Sequence, residues 1–504
     1  MKICFVLQRN FAYIGHAMAL ALKSRYGVTD FCGYVVYRST RNFLTSQTDI
    51  PYTHLLLNEE VHERYKSEKL DFDYLRALQD EYGIPNLSPY IDIDRIVRYN
   101  QFVREYPYDT PPYTYEEMLR QLQVKAKAVL KFFNEEKPDV IISSVIGDTI
   151  TMLLHTIAKK RGVPFLLIQE CKVGENYTMT EAFGDLSFTQ ETFKKLQNGT
   201  LLLSEERERA KRFLDNFRKK PEPHSFIETP STKPINRKRQ FRFLLPLSFI
   251  TSFIWAVRMC FDYLRNPHKE DYDLIRPQYY FIDHIKRKLR VLYGFDDLYD
   301  TPGENEKYAF YPLQYEPEMT LLLFAPFYTD QLWVIKQVAK SLPVDHLLYV
   351  KEHPSMFGYR TRRYYKELKK IPNVRLISPS VTGFDLMRKS KLVVTISGTG
   401  GWEALAFEKP VIIFSEIFYG SLPMVRRCRS IEDLPNIVKE HLATFKHDEE
   451  ALINMTTALY AESAELPLVQ IWVLDGSSNF EKKKEGVIPF VDYVAKKLKL
   501  TPIV

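Results

Sequence analysis

The sequence predicts an α/β protein of two Rossmann-like domains facing across a cleft, with a basic-aromatic helical insert between them. Three observations carry that prediction. Residues 391–416 run apolar β-branched strand, glycine turn, short helix, second apolar strand, the punctuation of a βαβ unit. Residues 138–169 repeat this rhythm in the first half of the chain. Residues 201–300 break it with a charged helix, a Pro/Ser/Thr-rich linker and a basic, aromatic stretch. A chain of 504 residues suits two or three domains.

In chain order, Lys2–Leu7 reads as a buried strand, followed by a loop through His16, a helix over Ala17–Arg25 and a strand over Phe31–Tyr37. Residues 58–135 are polar and helical in pattern, with Tyr115–Asn134 the clearest amphipathic segment. Pro138–Val145 is a strand, and Asp148–Lys160 is a helix stopped by Arg161-Gly162 before the strand Phe165–Gln169. In the second half, strands are expected at Thr320–Phe327, His346–Lys351, Arg375–Ser378, Leu392–Ile396 and Val411–Phe414. Helices are expected at Asp330–Leu342, Gly383–Ser390 and Trp402–Glu408. The last helix, Val491–Leu498, is placed against the first domain. The resulting divisions are 1–200, 201–305, 306–450 and a helical extension over 451–504.

A hydrophobic share of 45% and a charged share of 26% are those of a globular protein. The net charge of +7 fits an anionic substrate or membrane surface better than a dedicated nucleic-acid binder. Five scattered cysteines without CxxC spacing suggest neither a disulfide framework nor a zinc site. With an N-terminus that reads as a first strand and not a signal peptide, they give a cytoplasmic expectation in which the sequons at Asn176, Asn198 and Asn454 stay idle. The insert holds the run Arg237-Lys238-Arg239-Gln240-Phe241-Arg242, followed by the apolar Phe243–Leu264. Its uncharged core, about 15 residues, falls short of the roughly 20 needed to span a bilayer. Two readings stay open: a helix lying on a membrane surface, on the inner face of the cell membrane, or a buried connector. The basic-aromatic segment Tyr279–Tyr293 favours the former.

Two loops of the second domain carry ligand chemistry. Glu352-His353-Pro354 follows a strand, where an imidazole can donate to a phosphate oxygen and Lys351 can add positive charge. Two strands later, Ser397-Gly398-Thr399-Gly400-Gly401 opens a helix, with glycines for close backbone approach and Glu403 one turn in. Loops at the carboxyl ends of strands in one parallel sheet converge on one rim.

The run YAFYPLQYEPE (Tyr308–Glu318), DQL (Asp330–Leu332), LYVKEHP (Leu348–Pro354) and ISGTGGWEALAFEKPVIIF (Ile396–Phe414) resembles the capsule polysaccharide biosynthesis family. That family includes GT-B-type glycosyltransferases, among them transferases of 3-deoxy-manno-octulosonic acid (Kdo), and is similar in architecture to polysialyltransferases. The resemblance covers roughly residues 306–416. It implies that His353, Ser397, Thr399 and Glu403 bind a donor nucleotide and that Gln314 and Glu318 line the cleft. Residues 306–450 then form the nucleotide-sugar donor domain and residues 1–200 the acceptor side. Leaving-group charge would fall on His353, Lys351 and the amides of 398–401.

An acceptor base is sought at the strand ends of the first domain, where His16, Asp148, Glu170 and Glu175 qualify by position. The pairs Asp71/Asp73, Asp92/Asp94 and Asp271/Asp273 lie in helical or linker sequence and read as solvated faces, so no metal is assigned. The expected function is metal-independent glycosyl transfer from a nucleotide-sugar, for instance CMP-Kdo, to a surface polysaccharide or glycolipid. No cofactor beyond the donor is expected. The alternatives are a UDP-N-acetylhexosamine epimerase-like enzyme and a noncatalytic scaffold subunit of a polysaccharide assembly complex.

Overall fold

The computed structural model describes residues 1–8, 11–99, 104–222, 241, 245–267, 272, 276–468 and 480–503, the side chains of 481–482 excepted. The linker beyond 222, the basic run 237–242 apart from Phe241, and the Asp271/Asp273 pair lie outside them. The chain divides into two compact units: Met1–Arg98, Tyr113–Phe213 and Ile453–Val504 form one, and Tyr99–Pro112 with Leu214–Leu452 form the other. The units therefore do not follow single stretches of chain. Residues 201–305 divide between them at Phe213/Leu214, and nearly all of 451–504 belongs with the N-terminal sheet.

The first unit holds β1 (Lys2–Leu7), β2 (Asp30–Val35), β3 (Tyr52–Leu57), β4 (Val140–Ser143), β5 (Phe165–Glu170) and β6 (Asn176–Thr180). The second holds β7 (Tyr308–Pro312), β8 (Leu347–Lys351), β9 (Val374–Ile377), β10 (Leu392–Thr395), β11 (Val411–Ile413) and β12 (Val425–Arg427). The short β13 (Ala464–Glu465) returns to the first.

In the first unit the order is β13-β6-β5-β4-β1-β2-β3. Strands β1 to β5 are parallel, and β6 and β13 close one edge antiparallel. The centre is apolar on both faces, as a sheet covered by helices requires. Helix Phe11–Tyr26 and the final helix Ile488–Lys497 share one core with it, in which Met18 and Leu22 meet Phe490, Val491 and Val494. Helix Tyr115–Glu136 starts in a capping box formed by Thr114 and Glu117. Strands β3 and β6 were not foreseen. Tyr52-Thr53-His54 is too polar for an apolar-run rule, and β6 alternates only weakly.

In the second unit the order is β12-β11-β10-β7-β8-β9, all parallel. Read in strand sequence this is 3-2-1-4-5-6, which reverses between β7 and β10. Here one expectation fails. Thr320–Phe327 is not a strand: Met319–Phe324 is helical and Pro326–Tyr328 forms a tight turn. A short apolar run cannot be told from a helical turn by periodicity, and Leu321, Leu322 and Ala325 are buried at helical spacing. The strand is instead Tyr308–Pro312.

Helix Pro246–Arg265 belongs to the second unit and buries none of its residues, which removes the buried-connector reading. Its 20 residues are long and apolar enough to cross a membrane by length and composition, against the expectation from its shorter uncharged core.

Candidate functional site

In an open parallel sheet, ligands bind beyond the carboxyl ends of the strands where the order reverses. In the second unit that place is flanked by the loops after β7 and β10, with the loop after β8 beside them. All three carry residues singled out from sequence.

Partners in a parallel pair point to the same face, and alternate residues share it. Lys351 pairs Pro312, Phe310 pairs Val393, and Thr395 follows on Val393's face. Lys351, Pro312 and Thr395 therefore line one face across β8, β7 and β10. Gly400 seats against that row: a Cβ there would lie 3.2 Å from Pro312 Cγ.

Lys351 is buried, and among the described residues no ion pair includes it. Burial pushes its ammonium down to about 8, against the pull of Glu352. His353 caps the turn Pro354–Met356, its Nδ1 accepting from the Ser355 amide at 3.2 Å. A ring nitrogen that accepts carries no proton, so the neutral tautomer has its proton on Nε2. Burial, with Arg360 and Lys351 nearby, holds the ring down to about 4. At neutral pH the rim thus offers an Nε2–H donor and a lysine with no ion-pair partner.

The glycine loop is braced from below. The Ser397 amide donates to Gln314 Oε1 at 3.1 Å, and Gln314 Nε2 donates to Ser397 Oγ at 3.0 Å. Gln314 is itself held by reciprocal bonds to Gln331, of 2.8 and 3.1 Å. This buried amide ties two loops together, a more specific role than lining a cleft. The amide of Gly398 is taken by Thr395 Oγ1 at 3.1 Å and that of Gly401 by the Gly398 carbonyl at 3.2 Å. Among the described residues, no hydrogen bond uses the amides of Thr399 and Gly400, so two donors of the expected four remain for a ligand.

The glycines answer to packing. A Cβ on Gly401 would lie 2.4 Å from the Tyr419 hydroxyl, and one on Gly398 would lie 2.7 Å from Thr395 Oγ1. Neither has a positive φ. Tyr419 in turn donates to the Gly398 carbonyl at 2.6 Å. Packing within the protein thus by itself requires glycine at these two positions. Glu403 stands in the first turn of helix Gly400–Ala406, and half-buried Glu318 begins helix Met319–Phe324.

Sequence reasoning missed the group beneath the rim. Arg360, fully enclosed, pairs with Glu352 and with Glu316 at 2.7 Å, and donates to the Gln314 carbonyl at 2.8 Å. Tyr365 donates to the second Glu352 oxygen at 2.7 Å. Nothing marks Arg360 in the stretch Tyr359–Arg363, where three arginines stand within five residues.

The first-unit candidates separate. Asp148 is the N-cap of helix Thr149–Lys160; it accepts from the Thr151 amide at 2.8 Å, the Tyr34 hydroxyl at 2.9 Å and the Gln8 amide at 2.5 Å. His16 is buried against Phe43, Tyr52 and Phe480, its Nδ1 is 3.0 Å from the Tyr52 hydroxyl, and burial lowers it to about 4. Both have the surroundings of core residues. Glu170 ends β5, partly exposed and paired with Lys172. Of the aspartate pairs, Asp94 is not on a solvated face: it is enclosed with Lys125 at 2.8 Å. Asp71 caps helix Phe72–Tyr82, while Asp73 is exposed. Among the described residues no cluster of three or more His, Cys, Asp or Glu side chains is arranged to hold a metal.

Solved structures similar to this chain include a beta Kdo 2,7 transferase, KpsC of Thermosulfurimonas dismutans, at 13% identity and a TM-score of 0.37, over 72% of this chain and 89% of that one. A UDP-GlcNAc 2-epimerase of Neisseria meningitidis matches at 10% and 0.24, over 92% and 99%. The glycotransferase of kitacinnamycin matches at 14% and 0.26, over 99% of each chain. Likenesses this distant transfer no activity. No curated protein matches the chain. Over residues 267–424, which hold β7 to β11 and every loop of the rim, the chain resembles the capsule polysaccharide biosynthesis family.

Proposed function

We propose that the protein is a glycosyltransferase that binds the phosphate of a nucleotide-sugar at the rim of β8, β7 and β10. The acceptor in this reading is a surface polysaccharide or glycolipid. The observation that carries the reading is Lys351, a buried ammonium without an ion pair among the described residues, with a neutral His353 at the end of β8, one strand from the point where the strand order reverses. A buried cation without a counter-ion is costly, and a bound phosphate supplies one.

In transfer, the bond from the anomeric carbon to the phosphate oxygen breaks and its electron pair stays on that oxygen. Lys351 and the Nε2–H of His353 then face the charge that grows there. The acceptor hydroxyl adds to the anomeric carbon and gives its proton to a base. This assigns the leaving-group charge to side chains and makes the reaction independent of divalent metal.

The test is calorimetric titration with CMP, UDP, GDP and TDP, alongside His353→Ala and a transfer assay with and without chelator. Tight binding of one nucleotide, weakened in the variant, with transfer that survives chelation, is the expected result. CMP as that nucleotide points to a Kdo-like donor. UDP binding without transfer moves the reading to an epimerase. Failure to bind any of the four removes the enzyme reading and leaves the scaffold.

A further inference from the structure

We propose that helices Pro246–Arg265 and Pro277–Tyr293 together form an in-plane anchor for an anionic lipid surface. In the first helix, Leu247, Ile250, Phe253, Ile254, Val257 and Phe261 fall within about a third of the circumference at 3.6 residues per turn. All six are exposed, Leu247 at 78% and Phe253 at 63%. The opposite side carries Ser248, Ser252 and Asp262 alongside Trp255 and Met259, with Asp262 3.9 Å from Arg258. Between the polar positions Trp255, itself 44% exposed, lies 4.8 Å from the ring of Tyr280 on the second helix.

The second helix repeats the pattern. Ile282, Ile285, Leu289 and Leu292 are exposed at helical spacing. Lys286, half-exposed and paired with Glu105 at 2.9 Å, and Lys288 flank that stripe on either side by the same periodicity. The two helices thus touch through aromatic rings and turn apolar stripes outward.

The distribution of charge selects the occupant. A second copy of the chain would bury the stripes in a protein interface, whose core is depleted of lysine. Lysines bordering an apolar stripe instead reach lipid headgroups while their stems cover hydrocarbon. An anionic surface adds attraction for each of them. The polar side of the first helix argues for lying in the surface, because a span sets every face in hydrocarbon.

The test is flotation of the full-length protein with vesicles of phosphatidylcholine plus phosphatidylglycerol, and with phosphatidylcholine alone. Expected is flotation with the anionic vesicles, release by alkaline carbonate, and loss in the double variant Phe253→Glu/Ile254→Glu. Lys286→Ala with Lys288→Ala should weaken binding roughly thirtyfold, with nucleotide affinity unchanged as a check that the unit is folded. Absence of flotation with either vesicle overturns the anchor. So does retention after carbonate, which marks a span, or a dimer that the glutamate variant dissociates.

Discussion

Arg360 and Glu352 form an ion pair from which water is excluded: the side chains of both are 0% exposed. Glu352 immediately precedes His353, and its carboxylate also accepts from the His353 amide at 2.6 Å. Through Glu316 and the Gln314 carbonyl, the same guanidinium reaches the loop after β7. One buried cation therefore sets the height of two rim loops, and Gln314 passes that constraint to Ser397.

Removing Arg360 should be severe. Arg360→Met leaves two carboxylates buried without their partner, a cost of roughly 3–5 kcal/mol, read as a fall in the urea midpoint. Arg360→Lys should recover only part, because an ammonium cannot reproduce the forked contacts. A loss below about 1 kcal/mol for Met would show that the loops hold without it.

Lys351 should behave oppositely. Its folded value of about 8 lies below the ordinary 10.5. Between those values the unfolded chain binds more protons, so the lysine makes stability rise with pH across that window. Lys351→Met removes the slope, stabilises the ligand-free protein by about 1–3 kcal/mol at neutral pH and weakens nucleotide binding. Thermal unfolding at neutral and alkaline pH, with titration of the same samples, checks all three.

Nucleotide affinity should follow the same residue. His353, held down to about 4, stays neutral from mildly acidic pH upward. Affinity should be flat near neutrality and fall as pH passes about 8, where Lys351 loses its proton. In Lys351→Met the fall should vanish. A fall centred near pH 6 would instead implicate a protonated imidazole.

Gly401→Ala should lower stability by about 1–3 kcal/mol, the usual cost of forcing a group into a filled space, because Tyr419 stands where the methyl would go. The loss should appear in thermal unfolding whether or not nucleotide is present.

Asp148→Ala should cost about 2 kcal/mol through the lost helix cap and the stranded Tyr34 hydroxyl. The KM for donor should be unchanged. A selective loss of kcat in a fully stable variant would restore Asp148 as a catalytic candidate.

The βαβ units and the loops at their strand ends were legible because each rests on local signals: apolar runs, glycine stops, turn residues; Asp148 was read as a candidate base, and only the structure shows it as a helix cap. Thr320–Phe327 was misread because six consecutive apolar or small residues suit a strand as well as a helical turn. The packing constraint on Gly398 and Gly401 was not legible for another reason. Sequence shows a small residue, while only packing shows that Tyr419 occupies the space.

By itself the sequence determined the α/β class, most strand positions and the placement of His353 and Ser397 at strand ends, since periodicity and turn chemistry are encoded in neighbouring residues. Tertiary structure decided what depends on residues far apart in the chain. It brought Lys351 and Thr395 onto one face, enclosed Arg360 between two glutamates, and joined 453–504 to the N-terminal sheet. It also left one face of helix Pro246–Arg265 uncovered. Burial and strand order follow from long-range packing, which no local pattern records.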